Sequence, residues 1–520
     1  MATPELGRYR NHGSGVDLFR AYLNKREASR KRVRECRAEL ESFVRDRRAH
    51  QHYSRDLYGT AEAGYHESLR RANASLNGTS TFNSMGFERH RPSSGLRLID
   101  IQRRSCDPRG MVLTRWPRTS GCNVRTMTLL ATPPLSLYVH FPWCVRKCPY
   151  CDFNSYSLQG ELDERRYVEA LERDLEAQAA EVAGREVVSI FFGGGTPSLF
   201  SPQAIGRVIA AAHRHLALAP DVEVTMEANP GAIERGKFGE YRAAGLTRVS
   251  LGAQSFDSHR LEVLGRIHSP DETRRAAAEL HAAGLENFNL DLMYALPGQD
   301  VDGALRDVEE ALALEPAHLS HYQLTIEAGT VFAGKPPALP EDDVAAEMLA
   351  ECLQRIAAAG FEQYEVSAFA RPGRRCRHNL NYWSFGDYLG VGAGAHGKLS
   401  FPASGTIVRT LQLREPRRYL ASVPAIVTRN PVPQRELPFE FMLNALRLVD
   451  GFDTALFERR TGLEWDSIAP KIESLVDRGL LLRTETGFRP SPRGLAFLNE
   501  LLLIFVTVAD PESPKMAGAF

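Results

Sequence analysis

The feature that most constrains this chain is a regular alternation, starting near residue 135, of short runs rich in β-branched and aromatic residues with longer amphipathic segments. This alternation predicts parallel strands joined by crossover helices, because a parallel partner is reached only through a long connection. The predicted strands cover residues 135–141, 187–192, 222–227, 248–253, 287–294 and 318–325. The predicted helices cover 163–182, 202–216, 233–244, 271–283, 301–314 and 342–359.

Six β/α units are too few for a closed eight-stranded barrel, so the predicted fold class is α/β with an open partial (β/α)6 barrel. In parallel sheets of this kind, ligands bind at the carboxyl ends of the strands. Polar residues and glycines fall at these ends, which predicts the site there. They include Cys144, the run Gly193-Gly194-Gly195-Thr196, Glu227, Gln254 and Asp291.

The even charge balance of the chain hides an uneven distribution. Lys+Arg and Asp+Glu number 64 each, but residues 1–126 hold 25 basic against 13 acidic residues. We interpret 1–126 as a basic extension that is poorly ordered or arises from a start codon assigned too early. Residues 127–400 are the predicted barrel, 401–432 a linker, 433–508 a small winged-helix-like domain and 509–520 a tail. The small domain lacks a dense basic face, so we expect no nucleic-acid partner.

Eight cysteines in 520 residues are too few for a disulfide scaffold. The chain has no apolar run near the roughly 20 residues that a membrane span needs, which predicts no integral membrane segment and leaves a peripheral contact open. We therefore expect a cytoplasmic protein.

Three of the cysteines are clustered: Cys144, Cys148 and Cys151 are separated by three and two residues. One loop can thus wrap three thiolates around a metal centre. A single zinc ion would usually take a fourth Cys or His ligand, and none follows at a usual spacing. Three thiolates suit a 4Fe-4S cluster with one iron left open for an exogenous ligand.

These features together resemble a known family. Cys-x3-Cys-x2-Cys after the first strand of a partial barrel is similar to the radical S-adenosylmethionine (SAM) signature. Within that superfamily the chain resembles the coproporphyrinogen dehydrogenase group and, inside it, the haem chaperones of the HemW type. The resemblance rests on YVHFPWC at 138–144, FGGGTPS at 192–198, EANP at 227–230, LGAQSF at 251–256 and DLMYALP at 291–297.

The resemblance implies that SAM binds the open iron of the cluster and is cleaved to a 5′-deoxyadenosyl radical when the cluster is reduced by an electron donor. It also implies a set of SAM contacts at the strand ends. Tyr150 would stack on the adenine, and Gly194, Gly195 and Thr196 would face the methionine amino group. Arg266 would meet the carboxylate. The remaining implied contacts are Tyr138, Glu227, Gln254 and Asp291.

One position departs from the porphyrinogen-oxidising members of the group. These carry a further cysteine two positions after the third cluster ligand, where this chain has Phe153. The resemblance therefore implies a haem chaperone that passes haem to acceptor proteins, with oxygen-independent coproporphyrinogen III dehydrogenase as the alternative. Phe153 disfavours the dehydrogenase, and whether the chain is an enzyme stays open.

The predicted haem-binding element is the HNxxY segment at 378–382, which we expect to form a loop. His is a common axial ligand of haem iron, and Tyr serves in some haem proteins. A His-Asn pair taken alone is more often a structural hydrogen-bonding element. The resemblance to HemW-type proteins favours haem binding by His378, Asn379 and Tyr382.

Overall fold

The computed structural model describes residues 131–231, 236–422 and 426–506. The predicted basic extension, 1–126, and the predicted tail, 509–520, lie outside the described residues.

The strands of the described residues form one large sheet and two small ones. Their bounds are β1 Leu135–Phe141, β2 Trp143–Cys144, β3 Tyr156–Ser157, β4 Glu186–Gly194, β5 Ala217–Ala228, β6 Arg248–Gln254, β7 Phe288–Tyr294, β8 His318–Gln323, β9 Glu362–Glu365, β10 Ala368–Ala370, β11 Asp387–Val391, β12 His396–Phe401, β13 Thr406–Gln412, β14 Ile426–Pro431, β15 Phe452–Asp453, β16 Leu481–Arg483 and β17 Gly487–Pro490. The large sheet has twelve strands in the order β14-β13-β12-β11-β1-β4-β5-β6-β7-β8-β10-β9. The small ones are a three-stranded sheet (β15-β17-β16) and a parallel pair (β2 and β3).

Helices connect the strands and form the outer layer of the barrel. Two of them carry clear start signals: Asp163 caps the first helix through the amide of Arg166, and Ser269 and Glu272 form a capping box at the fifth. The bounds are α1 Glu164–Ala179, α2 Pro202–His215, α3 Phe238–Ala243, α4 Ser258–Val263, α5 Pro270–Ala282, α6 Val301–Ala313, α7 Val331–Gly334, α8 Asp342–Ala358, α9 Arg377–Trp383, α10 Pro416–Ser422, α11 Leu437–Ala445, α12 Thr454–Thr461, α13 Ala469–Asp477, α14 Pro492–Ala496 and α15 Leu498–Leu502.

The predicted partial barrel is confirmed. Strands β1 and β4 to β8 pair in parallel in chain order, and crossover helices α1, α2, α3, α5 and α6 lie between them in sequence. Strand β11 adds a seventh parallel strand beside β1. Apolar side chains such as Leu137, Val139, Ile190 and Leu251 are fully buried against the helices, which explains why these strands were visible as apolar runs.

The predicted linker at 401–432 is wrong. This segment holds strand β13, helix α10 and strand β14, and β12, β13 and β14 extend the large sheet in antiparallel pairing. Pro416 begins α10 and Pro431 ends β14, so both prolines of this segment lie at element ends. A proline is tolerated at both kinds of position.

The C-terminal segment has the predicted winged-helix-like order of elements. Helix α11 is followed by β15, α12 and α13, and the hairpin of β16 and β17 turns just before Gly487. Its core is aromatic: Phe441 contacts Phe452 and Phe457 edge to face, and Trp465 stacks on Phe488. Among the described helices, none is both long and apolar enough to cross a bilayer.

Candidate functional site

The three clustered cysteines lie in one loop that leaves strand β1. Cys144 ends β2, and the loop returns to pair β2 with β3, with the amide of Leu158 donating to the carbonyl of Cys144 at 2.8 Å. Lys147 is exposed and stabilises the loop, because its Nζ donates to the carbonyls of Phe153 and Ser155. All three thiols are free and partly buried. The fold therefore presents them together at the carboxyl end of the barrel.

The thiols fit a polynuclear cluster better than a single ion. Within the described part of the chain, their Sγ atoms do not form a group lying within 4.8 Å of one another, which a mononuclear site would need. A four-iron cluster is larger and takes thiolates farther apart. Burial raises the pKa of the Cys144 and Cys151 thiols, and the neighbouring cysteines raise it further. A bound cationic iron centre would relieve both effects, so the donor set fits the predicted 4Fe-4S cluster.

The glycine run is required by backbone packing as much as by any ligand. Gly194 has φ +110°, and a Cβ there would lie 2.3 Å from the imidazole of His140. A Cβ on Gly195 would lie 2.6 Å from the carbonyl oxygen of Trp143. The amides of Gly195 and Thr196 donate to the carbonyls of Phe141 and Trp143 at 2.6 and 2.7 Å. The run thus locks the end of β4 to the chain that carries Cys144.

Two half-buried carboxylates, Glu227 near the end of β5 and Asp291 in the middle of β7, face the interior of the barrel. Glu227 accepts the amide of Gly194 at 3.1 Å, and Asp291 accepts Ser250 Oγ at 3.1 Å and Asn289 Nδ2 at 2.8 Å. Burial and then the nearby Asp291 raise the pKa of Glu227 to about 7. Burial also raises the pKa of Asp291. A ligand with a positive centre and hydroxyl groups would satisfy such a pair, and SAM has both.

Arg266 links the acidic interior to the cysteine loop. Its Nη1 lies 3.9 Å from Cys148 Sγ, and its Nη2 donates to Asn229 Oδ1 and to the carbonyl of Gly252. The Nε atom is buried without a hydrogen-bond partner among the described residues. An unsatisfied guanidinium N–H beside the cluster loop fits an anionic ligand group. Asn229 also donates to Thr196 Oγ1 at 3.0 Å, a linking role that the sequence did not single out.

The remaining predicted SAM residues are Tyr138 on β1, Gln254 at the end of β6 and Tyr150 in the cysteine loop. Tyr138 is hydrogen-bonded to His140 at 2.8 Å and stacks on Phe191. Gln254, with φ 66°, accepts the hydroxyl of Tyr322 at 2.8 Å. Tyr150 packs with its ring 6.4 Å from that of Phe332. The structure places seven of the nine predicted residues at or after the carboxyl ends of strands, and it places Tyr138 and Asp291 in the middle of β1 and β7. Their contacts with SAM stay a prediction.

The HNxxY segment forms helix α9, so the predicted loop is wrong. The amides of Arg377 and His378 donate to Oε1 of Glu223 at 3.1 and 3.4 Å, and this carboxylate from β5 starts the helix. His378 is only 5% exposed, and its ring stacks on Phe191 with centroids 4.2 Å apart. Asn379 donates to the hydroxyl of Tyr364 at 3.2 Å.

Tyr382 completes the segment and contacts Tyr388 edge to face at 4.9 Å. It also lies edge-on to His378, at 6.2 Å. Asn379 and Tyr382 are half-buried, whereas His378 is buried. The three predicted haem contacts therefore do not form one open surface in this structure. Two neighbours of His378 that the sequence did not assign to a site are Glu223 and Cys376.

Family models match two parts of the chain. Residues 138–314 match the radical SAM superfamily, and residues 432–497 match the HemN C-terminal domain. The first match covers the cysteine loop and the barrel up to α6, and the second covers the winged-helix-like segment.

Curated relatives match over most of their own length. The chain is 47% identical over 383 residues to "Heme chaperone HemW" of Escherichia coli, covering 73% of this chain and all of that protein. It is 43% identical to the protein of the same name in Haemophilus influenzae, covering 72% of this chain and 98% of that protein. It is also 38% identical to the bovine "Radical S-adenosyl methionine domain-containing protein 1, mitochondrial", covering 71% and 86%.

The fold is also similar to a solved structure. The solved structure described as "Coproporphyrinogen III oxidase (HemN) from Escherichia coli is a Radical SAM enzyme" superposes on this chain with a TM-score of 0.62. The two sequences are 23% identical, and the match covers 72% of this chain and 91% of that one. At this identity the likeness bears on fold alone.

Proposed function

The chain belongs to the HemW family of heme chaperones within the radical SAM superfamily, and from this premise we propose that it binds haem and transfers it to acceptor proteins. The observation that carries the proposal is the extent of the likeness. It runs through the barrel and the C-terminal segment of the HemW-named relatives, well beyond the cysteine motif that all radical SAM proteins share.

We propose that Cys144, Cys148 and Cys151 hold a 4Fe-4S cluster and that SAM lies against its open iron. When bound, this cluster would supply one-electron chemistry towards SAM, with electrons from an external donor. The chain's own part is to position and shield the ligand. Arg266 would orient the carboxylate of SAM beside Cys148, and Glu227 and Asp291 would hold its hydroxyl or cationic groups inside the barrel. Free thiol ligands need a reducing compartment, which supports a cytoplasmic location.

The carrier function is favoured over the dehydrogenase by Phe153. Its side chain is 57% exposed beside the cluster loop, at the position where the porphyrinogen-oxidising members have a cysteine. A phenyl ring can neither donate a proton nor ligate a metal. An exposed aromatic ring in that place suits contact with a flat apolar molecule.

We propose that haem contacts the side of α9 that carries Asn379 and Tyr382. These residues are three positions apart and so share one side of the helix, and both are half-buried. His378 belongs to the same predicted element, but its ring is held inside the barrel.

The proposed function is tested by a haem titration of the full chain, followed by transfer to the apo form of a b-type haem protein. We expect a shifted Soret band on binding, loss of that band on transfer, and weaker binding in Tyr382→Ala. Incubation with coproporphyrinogen III, SAM and a reductant is the second arm. Protoporphyrinogen formation in that arm, or no haem transfer in the first, would overturn the carrier function.

A further inference from the structure

A second group of metal-ligating side chains is buried inside the barrel and includes no residue of the cysteine loop. Glu223 comes from β5, while Cys376 and His378 come from the start of α9, more than 150 positions later in the chain. His378 Nδ1 lies 3.0 Å from Cys376 Sγ and 3.2 Å from Glu223 Oε1, and Sγ lies 3.6 Å from Oε1. Three different donor atoms thus form a small triangle.

The size of this triangle matches a single tetrahedral ion. Zinc bonds of about 2.3 Å to sulfur and about 2.0–2.1 Å to nitrogen or oxygen place tetrahedral ligand atoms roughly 3.3–3.6 Å apart. The observed separations of 3.0, 3.2 and 3.6 Å approach these values. By contrast, the loop cysteines do not form a group this tight among the described residues. The two groups therefore suit different metal centres.

All three donors are shielded from solvent. Glu223 is 7% exposed, His378 5% and Cys376 1%. Imidazole, thiolate and carboxylate are all zinc donors, and a site with three protein ligands takes water or another group as the fourth ligand. Shielding limits the access of bulk water, so the three side chains compete less with water for the ion.

Hydrogen bonding alone accounts poorly for the position of the thiol. Cys376 Sγ lies 3.0 Å from Nδ1 and 3.4 Å from Nε2 of the same imidazole, so it is not directed at one nitrogen alone. Oε1 of Glu223 already accepts the amides of Arg377 and His378. A bound ion gives the thiol, the ring and the carboxylate one common partner.

The charges around the group are compatible with a divalent cation. A thiolate and a carboxylate together neutralise a divalent ion, and the imidazole is neutral. Arg248, which is fully buried and interacts with both Glu223 and Cys376, adds a positive charge. Asp291 on β7 also interacts with Arg248 and offsets that charge.

We propose that Glu223, Cys376 and His378 are three ligands of a single zinc ion that fastens helix α9 to the interior of the barrel. On binding, the Cys376 S–H bond breaks, its proton passes to solvent, and the sulfur lone pair forms the bond to zinc; no atom changes oxidation state. The ion couples β5 to a helix far along the chain, so zinc binding stabilises the folded barrel. The site goes beyond the proposed haem transfer and does not depend on it.

The first test is elemental analysis of the full-length protein, with its cluster reconstituted anaerobically and loosely bound metal removed on a desalting column. We expect about one zinc per chain in addition to the cluster iron, and at least a five-fold lower zinc content in Cys376→Ser and in His378→Gln. Cys352→Ser is the matched control, because Cys352 is an equally buried free cysteine on α8. Its zinc content should equal that of the parent protein.

The second test uses cobalt(II) as a coloured substitute for zinc. In a full-length variant in which Cys144, Cys148 and Cys151 are changed to serine, cobalt should give one thiolate-to-metal charge-transfer band per chain. That band should disappear when Cys376→Ser is added and weaken with Glu223→Gln, while circular dichroism checks that each variant is folded. A cobalt spectrum without thiolate character, or zinc content unchanged in Cys376→Ser, would overturn the zinc site.

Haem titration of the same variants separates this site from the proposed function. If His378→Gln loses haem binding while the parent binds neither zinc nor cobalt at Cys376, His378 is a haem contact and the zinc site is wrong. If zinc is lost and haem transfer persists, the zinc site stands independently of haem.

Discussion

The imidazole of His140 occupies the space that a side chain on Gly194 would need. A Cβ at Gly194 would lie 2.3 Å from Cε1 of the ring. The ring cannot easily move away, because its two nitrogens are held by Tyr138 Oη at 2.8 Å and by the carbonyl of Asn154 at 3.0 Å. The contact fixes the end of β4 against the chain that leads into the cysteine loop.

We therefore expect Gly194→Ala to destabilise the protein and to impair cluster assembly. The φ of +110° and the clash with His140 together should cost about 3 kcal/mol of the free energy of unfolding. Urea denaturation and the iron content after reconstitution measure the two effects. Gly239→Ala is the control, because Gly239 lies in helix α3, has no atom within 4 Å of its Cβ position and has an ordinary φ. Equal stability of the two variants would contradict the packing role.

Cys148→Ala should abolish the 4Fe-4S cluster while leaving the fold intact. The loop keeps its backbone closure without this thiol, because Cys144, Leu158 and Lys147 make the bracing hydrogen bonds. We expect iron to fall from about four per chain to near zero, with loss of the charge-transfer absorption of the cluster. Cys352→Ala, which removes a thiol far from the loop in sequence, should keep the full iron content. A complete cluster in Cys148→Ala would refute the ligand assignment.

The two half-buried carboxylates, Glu227 and Asp291, predict a pH dependence of stability. The pKa of Glu227 is raised to about 7, above its ordinary value of 4.5, so the folded state holds this proton more tightly than the unfolded state. The free energy of unfolding should therefore fall as pH rises from about 4.5 to about 7 and level off above. Glu227→Gln keeps an acceptor for the Gly194 amide and removes the titration.

In the absence of SAM, the free energy of unfolding of Glu227→Gln should exceed that of the parent protein by about 3 kcal/mol at pH 8. Near pH 4.5 the two proteins should be similarly stable. Urea denaturation at several pH values measures the difference. The same variant should bind SAM more weakly, because it lacks the negative charge that a cationic ligand would meet. A constant stability difference across this pH range would mean that Glu227 does not titrate between these values.

The parallel strands could be predicted from the sequence because burial on both faces makes them apolar runs. Strand β1 occupies the predicted residues, 135–141, and β7 begins one residue later than predicted and ends at the predicted Tyr294. The cysteine loop was equally visible, since its spacing is local. These features depend on residues close together in the chain, where periodicity and motif spacing carry information.

Helix α9 shows why the rest could not be predicted. It has only seven residues, and its start is stabilised by Glu223, which precedes it by more than 150 positions. No local signal reports such a partner. The group of Glu223, Cys376 and His378 could not be predicted for the same reason, because Glu223 is far from the other two residues in the sequence. Strand β13 was missed for another reason: it lies near the edge of the sheet, where its polar residues Thr406, Arg409 and Gln412 resemble those of a linker.

The last prediction concerns the buried ion pair between Asp387 on β11 and Lys398 on β12. Asp387 of β11 accepts Lys398 Nζ at 2.9 Å, Arg185 Nη2 at 2.9 Å and the amide of Ser400 at 2.7 Å. Asp387→Asn leaves Lys398 buried without its carboxylate, which should cost about 3–5 kcal/mol of the free energy of unfolding. Lys398→Met should cost less, because Asp387 keeps Arg185 and Ser400 as partners. The urea midpoints of the two variants measure this asymmetry, and a larger loss in Lys398→Met would show that Lys398, rather than Asp387, is the centre of the network.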